Sequence, residues 1–167
     1  MPSYQQKLNF TLILKGHIAY ANCKFIPGTT GGELDILARY YLWQDGKNYA
    51  HASGHGVGNC LNVHEGRMGN VALSPGMIIA NEPGYYKNGE YGIRIENLLL
   101  VRKQKNGFLA METLTLAPID KRLILTKMLS KQEKRWLNQY HKKIYNKLSP
   151  HLNTQEKSWL KSKTLAL

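Results

Sequence analysis

His51-Ala52-Ser53-Gly54-His55-Gly56-Val57-Gly58 opens a stretch that continues through Val63-His64-Glu65-Gly66 and Asn81-Glu82-Pro83-Gly84-Tyr85-Tyr86 to Gly92-Ile93-Arg94-Ile95-Glu96-Asn97. Three of the six histidines lie in it, each beside glycine or inside a short apolar run. Repeated glycine disfavours helix, and Val57, Leu61 and Val63 suit short strands and bulges. Residues 77–80 form a continuous apolar run, read as a buried strand ending at Glu82. Residues 92–102 and 108–116 are further strand candidates. Asn88-Gly89 and Asn106-Gly107 stand between these runs as hairpin turns. The middle of the chain is therefore expected to be a mostly antiparallel, curved sheet.

Outward from this sheet the pattern becomes helical. Residues 5–22 carry Leu8, Leu12, Lys15 and Ala19 at helical spacing, with Ile13 and Leu14 widening the apolar face, and read as an amphipathic helix. Pro27-Gly28 ends that element. Thr30 with Glu33 is a capping box opening a second helix, on which Leu34, Ala38 and Tyr41 share a face before Gly46. Ser130 with Glu133 caps a third, lined by Trp136, Leu137, Tyr140, Ile144 and Leu148. Asn153 with Glu156 starts a short last helix carrying Trp159 and Leu160. The fold class that follows is α+β, a sheet flanked by helices and followed by a helical tail.

The 167 residues suffice for one ordinary core, and 43% apolar residues with ten tyrosines argue against disorder. No run of eighteen apolar residues is present, so no membrane partner is expected, and residues 1–15 lack the order of a secretory signal. Cys23 and Cys60 have no paired-motif spacing and read as reduced thiols of a cytoplasmic protein. The net charge of +12 is unevenly spread: residues 1–100 hold 8 Lys/Arg and 7 Asp/Glu, residues 101–167 hold 15 and 4. The excess lies away from the histidine-rich stretch of residues 51–64 and reads as a Lys-rich solvated surface rather than a nucleic-acid interface. A basic binding module is the competing reading.

His55 lies between glycines that leave its imidazole unscreened, and Glu82 stands where a strand meets Pro83-Gly84. In Ile93-Arg94-Ile95-Glu96, period-two alternation puts Arg94 and Glu96 on one face. Taken singly, each is what any loop or solvated strand face offers. Together, one imidazole and two carboxylates form a donor set for a divalent metal, without choosing among zinc, manganese, cobalt and iron.

GHGVG, NVHEG, NEPGYY and GIRIEN in this order resemble the C-terminal half of the Xaa-Pro aminopeptidases (aminopeptidase P). These belong to the pita-bread metallopeptidases, with methionine aminopeptidase, prolidase and creatinase. The likeness extends to Leu14-Lys15-Gly16-His17, Leu34-Asp35 with Ala38-Arg39, and Leu42-Trp43. It also takes in the tail, Trp136 to His141 with Trp159-Leu160, which points to the long subgroup. The resemblance implies the C-terminal portion of a pita-bread fold over residues 1–118 and a helical extension over 119–167. It implies His55, Glu82 and Glu96 as metal ligands, with Glu82 also holding the nucleophilic water and taking its proton. His51 is implied near the proline pocket and in proton transfer, His64 beside the scissile carbonyl and its oxyanion, and Tyr86 and Arg94 at the substrate pocket. The implied cofactor is a pair of divalent ions, manganese, and the implied substrate a peptide with proline second. Family members often dimerise, so a homodimer is an expected partner state.

The family site also uses two aspartates and a further histidine on upstream strands. Here the only aspartates are Asp35, Asp45 and Asp120. None stands in such a position, and the chain is expected to begin after that strand pair. One imidazole and two carboxylates are expected to hold at most one ion weakly, leaving this polypeptide inactive alone. Completion by a separate N-terminal polypeptide, or decay to a remnant, are the alternatives. The loop of residues 67–75 is expected to be shorter than in the family, and Ala52 stands where it has glycine.

Overall fold

The computed structural model describes residues 1–66 and 69–167. Its helices are α1 (Tyr4–Ala21), α2 (Gly31–Gln44), α3 (Lys131–Leu148) and α4 (Thr154–Thr164). Its strands are β1 (Lys24–Phe25), β2 (Gly56–Val57), β3 (Ile78–Asn81), β4 (Gly84–Lys87), β5 (Tyr91–Arg94), β6 (Asn97–Lys103) and β7 (Leu109–Thr113). Five of them form one sheet in the order β1-β7-β6-β3-β2, and β4 pairs with β5 alone. Every pairing is antiparallel. Two compact units result, one of residues 12–115 and one of residues 1–11 with 116–167.

In the larger unit, the second half of α1 and the buried face of α2 supply Ile13, Leu14, Tyr20, Ala38 and Leu42. The sheet adds Ile79, Ala80, Leu99 and Val101, all essentially without exposed surface. Burying each aliphatic side chain of this kind contributes about 1.5–3 kcal/mol. Gly16 permits the close approach of the helices, since a Cβ there would lie 2.1 Å from the Ala38 carbonyl oxygen. The capping box at Thr30 and Glu33 forms in full and fixes where α2 starts.

The smaller unit is built on α3, whose buried Leu137, Tyr140, His141 and Ile144 face inward with Leu160 of α4 also buried. Capping boxes at Ser130–Glu133 and Asn153–Glu156 open these helices. The loop after Thr115 is tied down from both sides. Ile119 N donates to His141 Nε2 at 3.1 Å, and Leu125 N donates to Thr11 Oγ1 at 2.9 Å.

Four expectations need correction. α1 is not amphipathic: from Asn9 to Ala21 only Lys15 and Ala19 keep appreciable exposure. Of the expected stripe Leu8, Leu12, Lys15 and Ala19, Leu12 is buried while the other three keep partial exposure. The inner surface of α1 carries Phe10, Ile13, Leu14, His17 and Ile18. Residues 92–102 are not one strand, because pairing stops at Arg94, resumes at Asn97 and changes sheet between them. Around Val57, Leu61 and Val63 only Gly56–Val57 pairs; Asn59–Leu61 is a 3₁₀ turn and Val63 lies in a turn. The candidate at 108–116 shortens to Leu109–Thr113. Both Asn-Gly turns do join strands, with Gly89 at φ 71 and Gly107 at φ 84. Part of the loop expected to be short, Arg67 and Met68, lies outside the described residues.

Candidate metal centre

His55 and Glu82 come together because residues 53–57 run antiparallel to residues 78–82. β2 pairs Gly56 with Ile79, Ala80 N donates to the His55 carbonyl at 2.8 Å, and Glu82 N donates to the Ser53 carbonyl at 2.8 Å. Gly54 lies within this ladder with no room for a side chain. A Cβ there would meet the Ala80 carbonyl oxygen at 1.9 Å. Gly54→Ala is therefore expected to push β3 away and cost about 1–3 kcal/mol, read as a lower urea midpoint, together with weaker divalent-cation binding. Retention of both would contradict this geometry.

Glu96 enters at the break between β5 and β6. One donor atom each from His55, Glu82 and Glu96 lies within 4.8 Å of the others. Glu82 is 7% exposed, the most buried carboxylate of the group. The His55 Nδ1 stands 3.0 Å from the Gly56 carbonyl, which can only accept, so Nδ1 carries a hydrogen. In the neutral ring the Nε2 lone pair then faces Glu82 Oε1 at 3.2 Å. Two acceptors aimed at each other, with a second carboxylate close by, are reconciled by a positive charge between them, a proton or a metal ion. A divalent cation fits this donor set, and the backbone carbonyl on Nδ1 is the kind of outer support that orients a ligating imidazole.

The other expected residues join the same cluster. Arg94 Nη1 donates to Glu82 Oε2 at 2.9 Å, and Arg94 Nε donates to the Tyr86 hydroxyl at 2.9 Å. The bond to Tyr86 chiefly raises the Arg94 pKa; burial opposes it, and the Glu82 and Glu96 charges add to it. Tyr86 Oη lies 2.8 Å from His51 Nε2, and His51 Nδ1 lies 2.8 Å from the Ala52 carbonyl. Donors and acceptors match along Arg94, Tyr86, His51 and Ala52. Because His51 uses the Ala52 backbone, an alanine methyl in place of hydrogen leaves that bond intact. The exposed His64 ring packs edge-on against His55, with centroids 4.4 Å apart.

The aspartates are engaged elsewhere. Asp35 pairs with Arg39 and accepts from Ser53 N at 3.1 Å. Burial raises its pKa, but Arg39 and Ser53 outweigh that and leave it lowered. Asp45 pairs with Lys47, and Asp120 with Arg122. Among the described residues, no aspartate belongs to the group around His55.

Asp35 and Arg39 have a supporting part that the sequence did not reveal. Arg39 also donates to the Tyr49 carbonyl at 2.8 Å and the His51 carbonyl at 2.7 Å, so α2 holds the loop presenting His51. Spacing signals the i,i+4 pair, but not its reach into a loop ten residues on.

Comparison with known proteins agrees with this architecture. Residues 1–103 match the profile of metallopeptidase family M24, and residues 107–167 match the C-terminal region of peptidase M24. The probable Xaa-Pro aminopeptidase P of Coprinopsis cinerea is 44% identical over 180 residues, covering 98% of this chain and 29% of its own length. The X-prolyl aminopeptidase of Caenorhabditis elegans, a cytosolic enzyme with a di-nuclear active site, superposes with a TM-score of 0.94 at 37% identity. That match covers 100% of this chain and 30% of the nematode chain. The prolidase of Pyrococcus horikoshii OT3 gives a TM-score of 0.60 at 32% identity over 69% of this chain and 33% of its own. The chain thus spans less than a third of the length of the curated relatives it matches. The fold is the C-terminal portion of the pita-bread architecture, as the motifs implied. With its strands, its helical tail and both family regions matched end to end, the chain belongs to metallopeptidase family M24.

Proposed function

We propose that this chain is the C-terminal part of an Xaa-Pro aminopeptidase, which hydrolyses the N-terminal peptide bond before a proline. The observation that carries the reading is the meeting of His55, Glu82 and Glu96 donor atoms within 4.8 Å. In it, residues 1–118 are the C-terminal part of the catalytic domain and 119–167 a helical extension. The protein acts in the cytosol, as its nematode relative does.

His55, Glu82 and Glu96 hold divalent cation, which we take to be manganese. When bound, such cations acidify water and stabilise charge developing on the scissile carbonyl. Glu82 accepts the proton of the attacking water, while the Arg94 guanidinium, 2.9 Å from its second oxygen, offsets its charge and fixes its orientation. His64, exposed and next to His55, donates to the oxyanion. His51 lines the proline side of the pocket and passes a proton, its ring aimed by Tyr86 and the Ala52 carbonyl. Tyr86 and Arg94 form the pocket wall.

Three protein ligands carry too little negative charge for two cations, so the reading requires further carboxylates from elsewhere in the protein or from a second polypeptide. Manganese and an Xaa-Pro peptide supplied to the 167-residue polypeptide should give little or no cleavage. Adding a polypeptide with the aspartate-bearing strands should restore it. Cleavage by the polypeptide alone at an ordinary rate, about 10 per second, would overturn the requirement for further carboxylates, and no cleavage by the complemented protein would overturn the aminopeptidase reading.

A further inference from the structure

Both carboxylates assigned to the metal adjoin a buried asparagine. Asn81 directly precedes Glu82 and is fully buried; Asn97 directly follows Glu96 and is 3% exposed. β3 and β6 pair so that these two asparagines face each other on one rung, at the end of their ladder. Both amides turn to a single residue of α1. Asn81 Nδ2 donates to the His17 carbonyl at 3.0 Å, and Asn97 Nδ2 donates to His17 Nε2 at 3.1 Å. His17 itself is fully buried.

The location gives these bonds their consequence. The rungs between β3 and β6 end at Asn81, and Glu82 follows with its own N–H bonded to the Ser53 carbonyl, so the Asn81 rung and that bond together set the direction in which Glu82 leaves the sheet. On the other strand, Glu96 sits in the break just before β6 begins at Asn97. A buried amide that lost its partner would leave its donor unsatisfied away from water, so neither asparagine can turn or slide freely. One helical residue thereby ties the roots of both carboxylates to a common point, Asn81 through its backbone carbonyl and Asn97 through its ring.

The ring acts as a neutral group. Burial pushes its pKa down to about 4, against the opposing effect of the Ile95 and Asn81 carbonyls. Because an amide nitrogen only donates, Nε2 accepts from Asn97 and the ring hydrogen resides on Nδ1.

We propose that His17 is a positioning residue for the metal ligands, holding Asn81 and Asn97 and so fixing where Glu82 and Glu96 meet His55. The proposal rests on reading those glutamates as ligands. It goes further by assigning the geometry of the pair to a helix outside the motifs that carry them.

Cobalt(II), titrated into the 167-residue polypeptide and followed by calorimetry and visible absorption, tests it. His17→Leu should weaken cobalt binding at least about tenfold, the range seen when outer-shell partners of a metal site are removed, and should change the absorption envelope. His17→Gln places an amide oxygen near the former Nε2 and should restore wild-type affinity and spectrum. Asn97→Ala cuts the same bond from the sheet side with the helix intact, and should match His17→Leu even if that variant does not fold. Wild-type affinity and spectrum in a folded His17→Leu or Asn97→Ala protein would overturn the proposal while leaving the ligand assignment standing. Equal loss in His17→Gln and His17→Leu would also overturn it, because a role in packing alone would then suffice. No cobalt binding by the wild-type polypeptide, either alone or complemented with a polypeptide bearing the aspartate strands, would overturn the ligand assignment and this proposal with it.

Discussion

Glu82→Gln, introduced into the 167-residue polypeptide complemented with a polypeptide bearing aspartate strands, should lower the turnover of an Xaa-Pro peptide by at least about a thousandfold, with a much smaller change in KM. Loss of a positioned general base removes about 10²–10⁴ in rate, and in the proposed function the same residue is also a metal ligand. Its two oxygens have separate partners. One faces His55 Nε2 at 3.2 Å and the other accepts from Arg94 at 2.9 Å. An amide can keep both contacts, its oxygen accepting from Arg94 and its nitrogen donating to the His55 Nε2 lone pair, but it offers neither a basic carboxylate to the water nor an anionic oxygen to a cation. Steady-state kinetics with a cation titration separates the two losses. A variant that kept turnover within tenfold at saturating manganese would show that Glu82 is not the base.

Acid should destabilise both compact units between pH 6.5 and about 4. His17 in one unit and His141 in the other have pKa values lowered from 6.5 to about 4. Burial is the main cause for each, with the Lys121 charge a further one for His141. An unfolded histidine takes up its proton near 6.5 and these folded ones only near 4, so between those values the unfolded chain binds more protons. Their contribution is complete above pH 6.5 and is lost as pH falls through the window. For the fully buried His17 the loss is on the order of 3 kcal/mol. Asp35, with its lowered pKa, adds a loss only at lower pH. Amide exchange read separately for Leu99 and Leu137 from pH 7 to pH 4.5 checks this. Unchanged protection would contradict the burial of the two imidazoles.

The helix starts were legible because a capping box is a local device. Thr30 with Glu33, Ser130 with Glu133 and Asn153 with Glu156 each form as their spacing indicates. The break between β5 and β6 was not, because buried Ile95, Asn97 and Leu99 alternate with more exposed neighbours straight through it. A change of sheet is decided by which strand lies alongside, which one strand's pattern does not encode. α1 was misread since helical spacing marks an apolar stripe, while burial around a helix depends on what packs against every side. Within the site, the motifs carried His51, His55, His64, Glu82 and Glu96. The flanking Asn81 and Asn97 stood inside those motifs with nothing to show that they face each other. His17 lies 64 and 80 residues from them, beyond any local pattern.

The shared cation site is tested most directly by counting manganese ions, by paramagnetic resonance, on the 167-residue polypeptide alone and with a polypeptide bearing the aspartate strands. Alone it should bind no more than one ion, weakly, and lose that ion on His55→Ala; the complemented protein should bind two. Two tightly held ions on the polypeptide alone, or binding indifferent to His55, would contradict the account.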